Sequence, residues 1–91
     1  MSRNRVPPPD GLARLIAEEL KALRSRRGFT LDELELASGV SRSTIWRIEN
    51  GKSDPNVEQM TRLSRALGLD LPRLVQRVFD NYVEESGGGF D

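Results

Sequence analysis

The sequence predicts an all-α fold, five helices closed into one compact bundle, and three observations carry that prediction. Apolar residues recur at the i, i+3, i+4 spacing that lines one face of a helix, most clearly at Leu12, Leu15, Ile16, Leu20 and Leu23. Capping residues stand ahead of such windows and glycines close them. No window alternates apolar and polar residues as a half-buried strand does, and there is no internal repeat. At 91 residues the chain has room for one modest core, since folding at this size buries roughly 60–70% of the unfolded surface. Oligomerisation is therefore a natural supplement to stability.

The opening MSRNRVPPPD holds three consecutive prolines and no apolar periodicity. Residues 1–9 are expected to form an extended, flexible arm. The first helix starts after Asp10, a good N-cap, and ends where Arg24, Arg26 and Arg27 favour the negative end of the helix dipole and Gly28 supplies a left-handed stop. Thr30-Leu31-Asp32-Glu33 reads as a capping box opening a second helix, with Leu34 and Ala37 facing inward. Gly39 breaks that helix, Val40 plugs the core, and Ser41 caps a short third helix. So tight a connection makes helices two and three cross sharply. Asn56, with Gln59 three residues on, opens a fourth helix that turns Met60, Leu63 and Leu67 inward and stops at Gly68. A fifth follows Asp70, tolerating Pro72 in its first turn. Its apolar positions are Leu71, Leu74, Val75, Val78, Phe79 and Tyr82.

Composition removes several function classes. The hydrophobic fraction of 36% and charged fraction of 31% suit a soluble globular protein. There is no cysteine and no histidine, hence no disulfide, thiolate metal site, thiol nucleophile or imidazole base. Glu33 with Glu35, or Glu84 with Glu85, do not converge on one ion from a helix. Neither catalysis nor a cofactor is expected. No stretch approaches the roughly 20 apolar residues of a membrane span, and residues 1–20 lack a signal-peptide core; the expected location is the cytoplasm. Net charge is zero, yet residues 1–53 carry 10 Lys/Arg against 7 Asp/Glu and residues 54–91 carry 4 against 7. Chance clustering accounts for so small an imbalance as readily as an anionic partner does.

The third helix is the informative one. On a helical wheel Ile45 and Ile48 point together toward helices one and two. Ser43, Trp46, Arg47 and Asn50 fall opposite, with Arg42 at the rim. Nothing in the fold requires that second face. A helix about 10–12 Å across fits the B-DNA major groove, about 12 Å wide, with its N-terminal residues at base edges. Arg42 and Arg47 match guanine O6 and N7; Ser41, Ser43 and Thr44 suit phosphates or base edges; Trp46 suits sugars or a thymine methyl. Taken singly, each arginine reads as a solvated surface charge, and Trp46 equally as a cover for the core's edge. The conjunction of glycine turn, capped short helix, inward isoleucines and outward donors carries the argument.

The run RRGFTLDELELASGVSRSTIWRIENGKSDPNVEQMTRLSRALGLDL resembles the Cro/C1-type (XRE-family) helix-turn-helix domain, most specifically through GVSRSTIWRIENGK and the capped helix ending ALGL. The resemblance covers about Leu12 to Leu74. It implies a lambda-repressor-like five-helix bundle over residues 10–84 and a transcriptional regulator that binds double-stranded DNA. Ser41, Arg42, Ser43 and Arg47 would contact bases, while Thr30, Leu31, Asn50 and Lys52 would lie on phosphates. Glu49 would have a structural role, such as pairing with Arg24 or capping locally. One departure stands out: many relatives carry glutamine where this chain has Leu31, which cannot hydrogen-bond, so any phosphate contact there falls to backbone N–H groups.

The fifth helix outruns a minimal domain of that kind, and no remaining segment obviously covers its apolar stripe. Leu74, Val78, Phe79, Tyr82 and Val83 are therefore expected to form the interface of a homodimer reading a palindromic operator, most simply as a repressor. The alternative is that they fold back on helix one. Arg3 and Arg5 would reach a minor groove or, more simply, contact nothing. Residues 85–91 are expected to form a flexible tail. A second function stays open: an antitoxin or protein-interaction module whose acidic FDNYVEESGGGFD end docks a partner protein such as a toxin.

Overall fold

The computed structural model describes residues 9–85, with side chains from 11 to 82. The expectations for residues 1–8 of the arm, residues 86–91 of the tail and the Val83 side chain lie outside those limits, while Pro9 and Glu85, expected in the arm and the tail, are helical. Five helices follow in order: α1 Pro9–Arg27, α2 Leu31–Ser38, α3 Arg42–Glu49, α4 Val57–Ala66 and α5 Leu71–Glu85. Helix α1 is the central strut, packing on α3, α4 and α5, while α2 packs on α3 and α4, and α4 on α5. There is no strand among the described residues.

One continuous core runs through all five helices. It takes Ile16, Ala17, Leu20 and Leu23 from α1, Leu34 from α2, Val40 from the turn, Ile45 and Ile48 from α3, Leu63 and Leu67 from α4 and its cap, and Leu74 and Val78 from α5. Leu12, Leu15 and Met60 pack on its edge. The capping box of α2 is complete: Glu33 N donates to Thr30 Oγ1 at 3.0 Å and Thr30 N to Glu33 Oε1 at 2.9 Å. Asn56 and Gln59 repeat the device on α4. Gly39 adopts φ 78° and donates its N–H to Glu35 O at 2.8 Å. That left-handed conformation is costly for any residue with a Cβ, and it turns the chain into α3 within three residues of α2.

Three expectations are corrected. Helix α1 is described from Pro9, so Asp10 lies inside it and is not its N-cap. Ala37 is exposed, and the inward row of α2 runs through Leu34 to Ser38, four residues apart. Buried Ser38 is satisfied locally, its Oγ accepting from Val40 N at 3.0 Å. Most consequentially, Leu74 and Val78 are 0% and 4% exposed within the single chain. They close the core rather than wait for a second copy, because α5 lies back against α1 and α4. Arg77 Nε and Asn81 Nδ2 reinforce that docking by donating to the Glu19 carboxylate at 2.9 and 3.2 Å. Only Phe79 and Tyr82, both half-buried, retain exposed surface from the described part of the expected interface.

Candidate nucleic-acid interface

Helix α3 is eight residues long, too short to be stable by itself, so its position depends on what grips it. At its start the Ser41 hydroxyl accepts from Thr44 N at 3.2 Å and donates to Thr44 Oγ1 at 2.8 Å. Below it, Ile45 and Ile48 are each 1% exposed. At its end two arginines of α1 converge. Arg14 donates to Ile48 O at 3.1 Å and to Glu49 O at 3.3 Å, satisfying terminal carbonyls and placing a cation at the negative end of the helix. Arg24 holds the buried Glu49 carboxylate through two bonds, Nε to Oε2 at 2.6 Å and Nη2 to Oε1 at 2.9 Å, while Nη1 donates to Phe29 O at 2.7 Å.

The Glu49–Arg24 pairing is the structural role that the resemblance implied. The hydrogen bond to Glu49 raises the Arg24 pKa above its ordinary value, against desolvation and with the carboxylate's charge assisting. A raised folded-state pKa stabilises the fold below the unfolded value and loses that contribution only as pH rises through the folded one, so Arg24 keeps its charge across the neutral range. Arg14 was not legible in the sequence. Its partners lie 34 and 35 residues away, and an arginine early in an amphipathic helix looks like any solvated cation.

So anchored, α3 turns its other face outward. Leu31, Ser41, Arg42, Ser43, Trp46 and Arg47 line one open groove of about 640 Å³ between the starts of α2 and α3, with Glu35 completing it. Trp46 is 47% exposed. Arg42 Nε lies 3.2 Å from Asp32 Oδ1 in an exposed ion pair, while the Arg47 side chain is exposed and has no ion pair among the described residues.

Other expected contacts stand apart from this groove. Thr44 is half-buried on the flank toward α4, where it lines a separate groove with Ser41, Asn56 and Arg62. Thr30 spends its hydroxyl on the cap of α2. Asn50 caps α3, its Nδ2 donating to Trp46 O at 2.8 Å. Lys52 is exposed just beyond, its N–H bonded to Arg47 O at 2.8 Å. Leu31, expected beside phosphate, shares the groove with the arginines, and Glu35 lines it as well although no sequence signal marks it.

A glycine turn joining two short helices, the second anchored from beneath and exposing a hydrogen-bonding face, defines a helix-turn-helix protein. The chain belongs to the helix-turn-helix domain family, whose model matches residues 4–77, and its Cro/C1-type character agrees with its relatives. It is 38% identical over 63 residues to the HTH-type transcriptional regulator SutR of Escherichia coli (strain K12), covering 69% of this chain and 34% of that protein. It is 39% identical over 69 residues to the HTH-type transcriptional repressor RghR of Bacillus subtilis (strain 168), covering 75% of this chain and 50% of that one. The chain thus spans half or less of these two relatives. The crystal structure of the clp gene regulator ClgR from Corynebacterium glutamicum matches with a TM-score of 0.71 at 23% identity, over 85% of this chain and 82% of that one, a likeness of fold. No helix among the described residues is long and apolar enough to cross a membrane.

Proposed function

We propose that this chain is a sequence-specific double-stranded DNA-binding transcriptional regulator, working in the cytoplasm as a homodimer and repressing by covering a palindromic operator. The observation that carries the reading is the groove of α3: Arg42, Ser43, Trp46 and Arg47 share one exposed lining while the same helix is fixed from below by Ile45, Ile48 and the Arg24–Glu49 pair. A rigidly held donor face fits recognition of base edges better than a mobile cationic surface does. Lys52 and the N–H groups at the start of α2 supply backbone contacts. Repression agrees with the name of RghR. Dimerisation rests on the far end of α5, through Phe79, Tyr82 and Val83, with recognition helices about 34 Å apart.

Selection of bound duplexes from random sequence tests this directly. The wild-type chain is expected to enrich a two-fold-related site with salt-sensitive affinity. Arg47→Ala should erase preference at one base pair per half-site, a loss of about 1–3 kcal/mol, while Lys52→Ala weakens all sequences alike. Failure to retain any duplex at low salt overturns the proposal.

A further inference from the structure

The groove that carries the two arginines is more than a cationic cleft. Leu31, the half-buried first residue of α2, and the exposed indole of Trp46 give it apolar walls, and the Glu35 carboxylate lines it too. These three side chains suit a phosphate poorly. Leu31 offers a phosphate no donor, Trp46 has a single indole N–H on an otherwise apolar ring, and Glu35 repels it. An uncharged base edge meets no such objection. In the major groove thymine is the one base that presents an apolar group, its C5-methyl, while cytosine and adenine present amino donors that a carboxylate accepts.

The geometry points to a thymine-reading subsite in which the C5-methyl group packs against Leu31 and Trp46, beside the base pairs read by Arg42 and Arg47. The Leu31 side chain is then specificity-determining, while the N–H groups at the head of α2 stay available to phosphate. Glu35 steers the groove toward base edges by disfavouring phosphate, and it accepts from an adenine or cytosine amino group when one faces it. This inference rests on the DNA-binding reading above and assigns one site within it.

Deoxyuridine provides the test, because it differs from thymidine in duplex DNA only by the methyl group. Once selection has given a binding site, each thymine is replaced in turn by uracil and affinity is measured for the full chain. One position per half-site should lose about three- to fivefold, the effect expected for removing one buried methyl-sized group. Leu31→Gln and Trp46→Ala should bind thymine and uracil sites nearly equally, erasing that ratio. Should no uracil replacement weaken a tightly bound site, or should both variants keep the wild-type ratio, the subsite is disproved while DNA binding stands. Should the wild-type chain enrich no sequence, the broader reading fails and takes this one with it.

Discussion

Two arginine–carboxylate pairs of similar composition do different work in this molecule because they meet different amounts of water. Glu49, the last residue of α3, is buried, and Arg24 reaches it with two bonds; removing the carboxylate strands a guanidinium that has little solvent to fall back on. Glu49→Ala is expected to cost about 2–4 kcal/mol in denaturant unfolding, toward the lower end of what broken buried pairs show because Arg24 keeps some exposure. Arg42 and Asp32 are both well exposed, at 61% and 78% of their side chains, where ion pairs contribute about 0–1 kcal/mol. Arg42→Ala should therefore leave the unfolding midpoint almost unmoved, yet change the sequences recovered in a binding selection. A pair so weak holds Arg42 near the groove and would release it at little cost to a guanine, as the proposed function requires. If Arg42→Ala instead destabilised the fold by several kcal/mol, the arginine would belong to the scaffold.

At the scale of the element, α2 and α3 differ in how they are held, and that difference decides what the sequence reveals. Helix α2 is specified by neighbours: Thr30 and Glu33 close its start and Gly39 its end, all within a few residues. Thr30→Ala should destabilise by about 1 kcal/mol, the usual worth of such a cap, measurable by thermal unfolding. These signals were legible because each is a local hydrogen bond with a fixed spacing. So were the inward isoleucines of α3. The far end of α3 was legible only in part. Glu49 with Arg24 came through the family resemblance, whereas Arg14 did not come at all, since its donors meet carbonyls on a distant helix. Arg14→Met keeps the aliphatic stem and removes those bonds. It should cost about 1–2 kcal/mol in stability and weaken operator binding beyond that, because a frayed α3 presents Trp46 and Arg47 less well. Unaltered affinity in a folded Arg14→Met chain would show that the terminus needs no such grip.

For the whole molecule the decisive question is what α5 covers. Its apolar stripe looks the same in sequence whether another helix of the chain or a second copy lies over it, so the sequence alone does not separate Leu74 and Val78 from an interface. In the structure the stripe divides. Leu74 and Val78 are inside, against α1 and α4, while Phe79 and Tyr82 remain half-exposed toward the end of the helix. The two groups should respond differently to protein concentration. Leu74→Ala opens a cavity in the monomer's own core, so it should cost about 2–5 kcal/mol at every concentration. Phe79→Ser should leave the monomer's stability nearly unchanged and instead shift the midpoint of self-association in sedimentation equilibrium. Since a dimer unfolds with a concentration-dependent midpoint, the wild type should gain stability on concentration and Phe79→Ser should not. A wild-type midpoint that ignores concentration would remove the dimer and, with it, the reason to expect two-fold symmetry in the operator. The groove of α3 would then read a single half-site, with correspondingly weaker and shorter recognition.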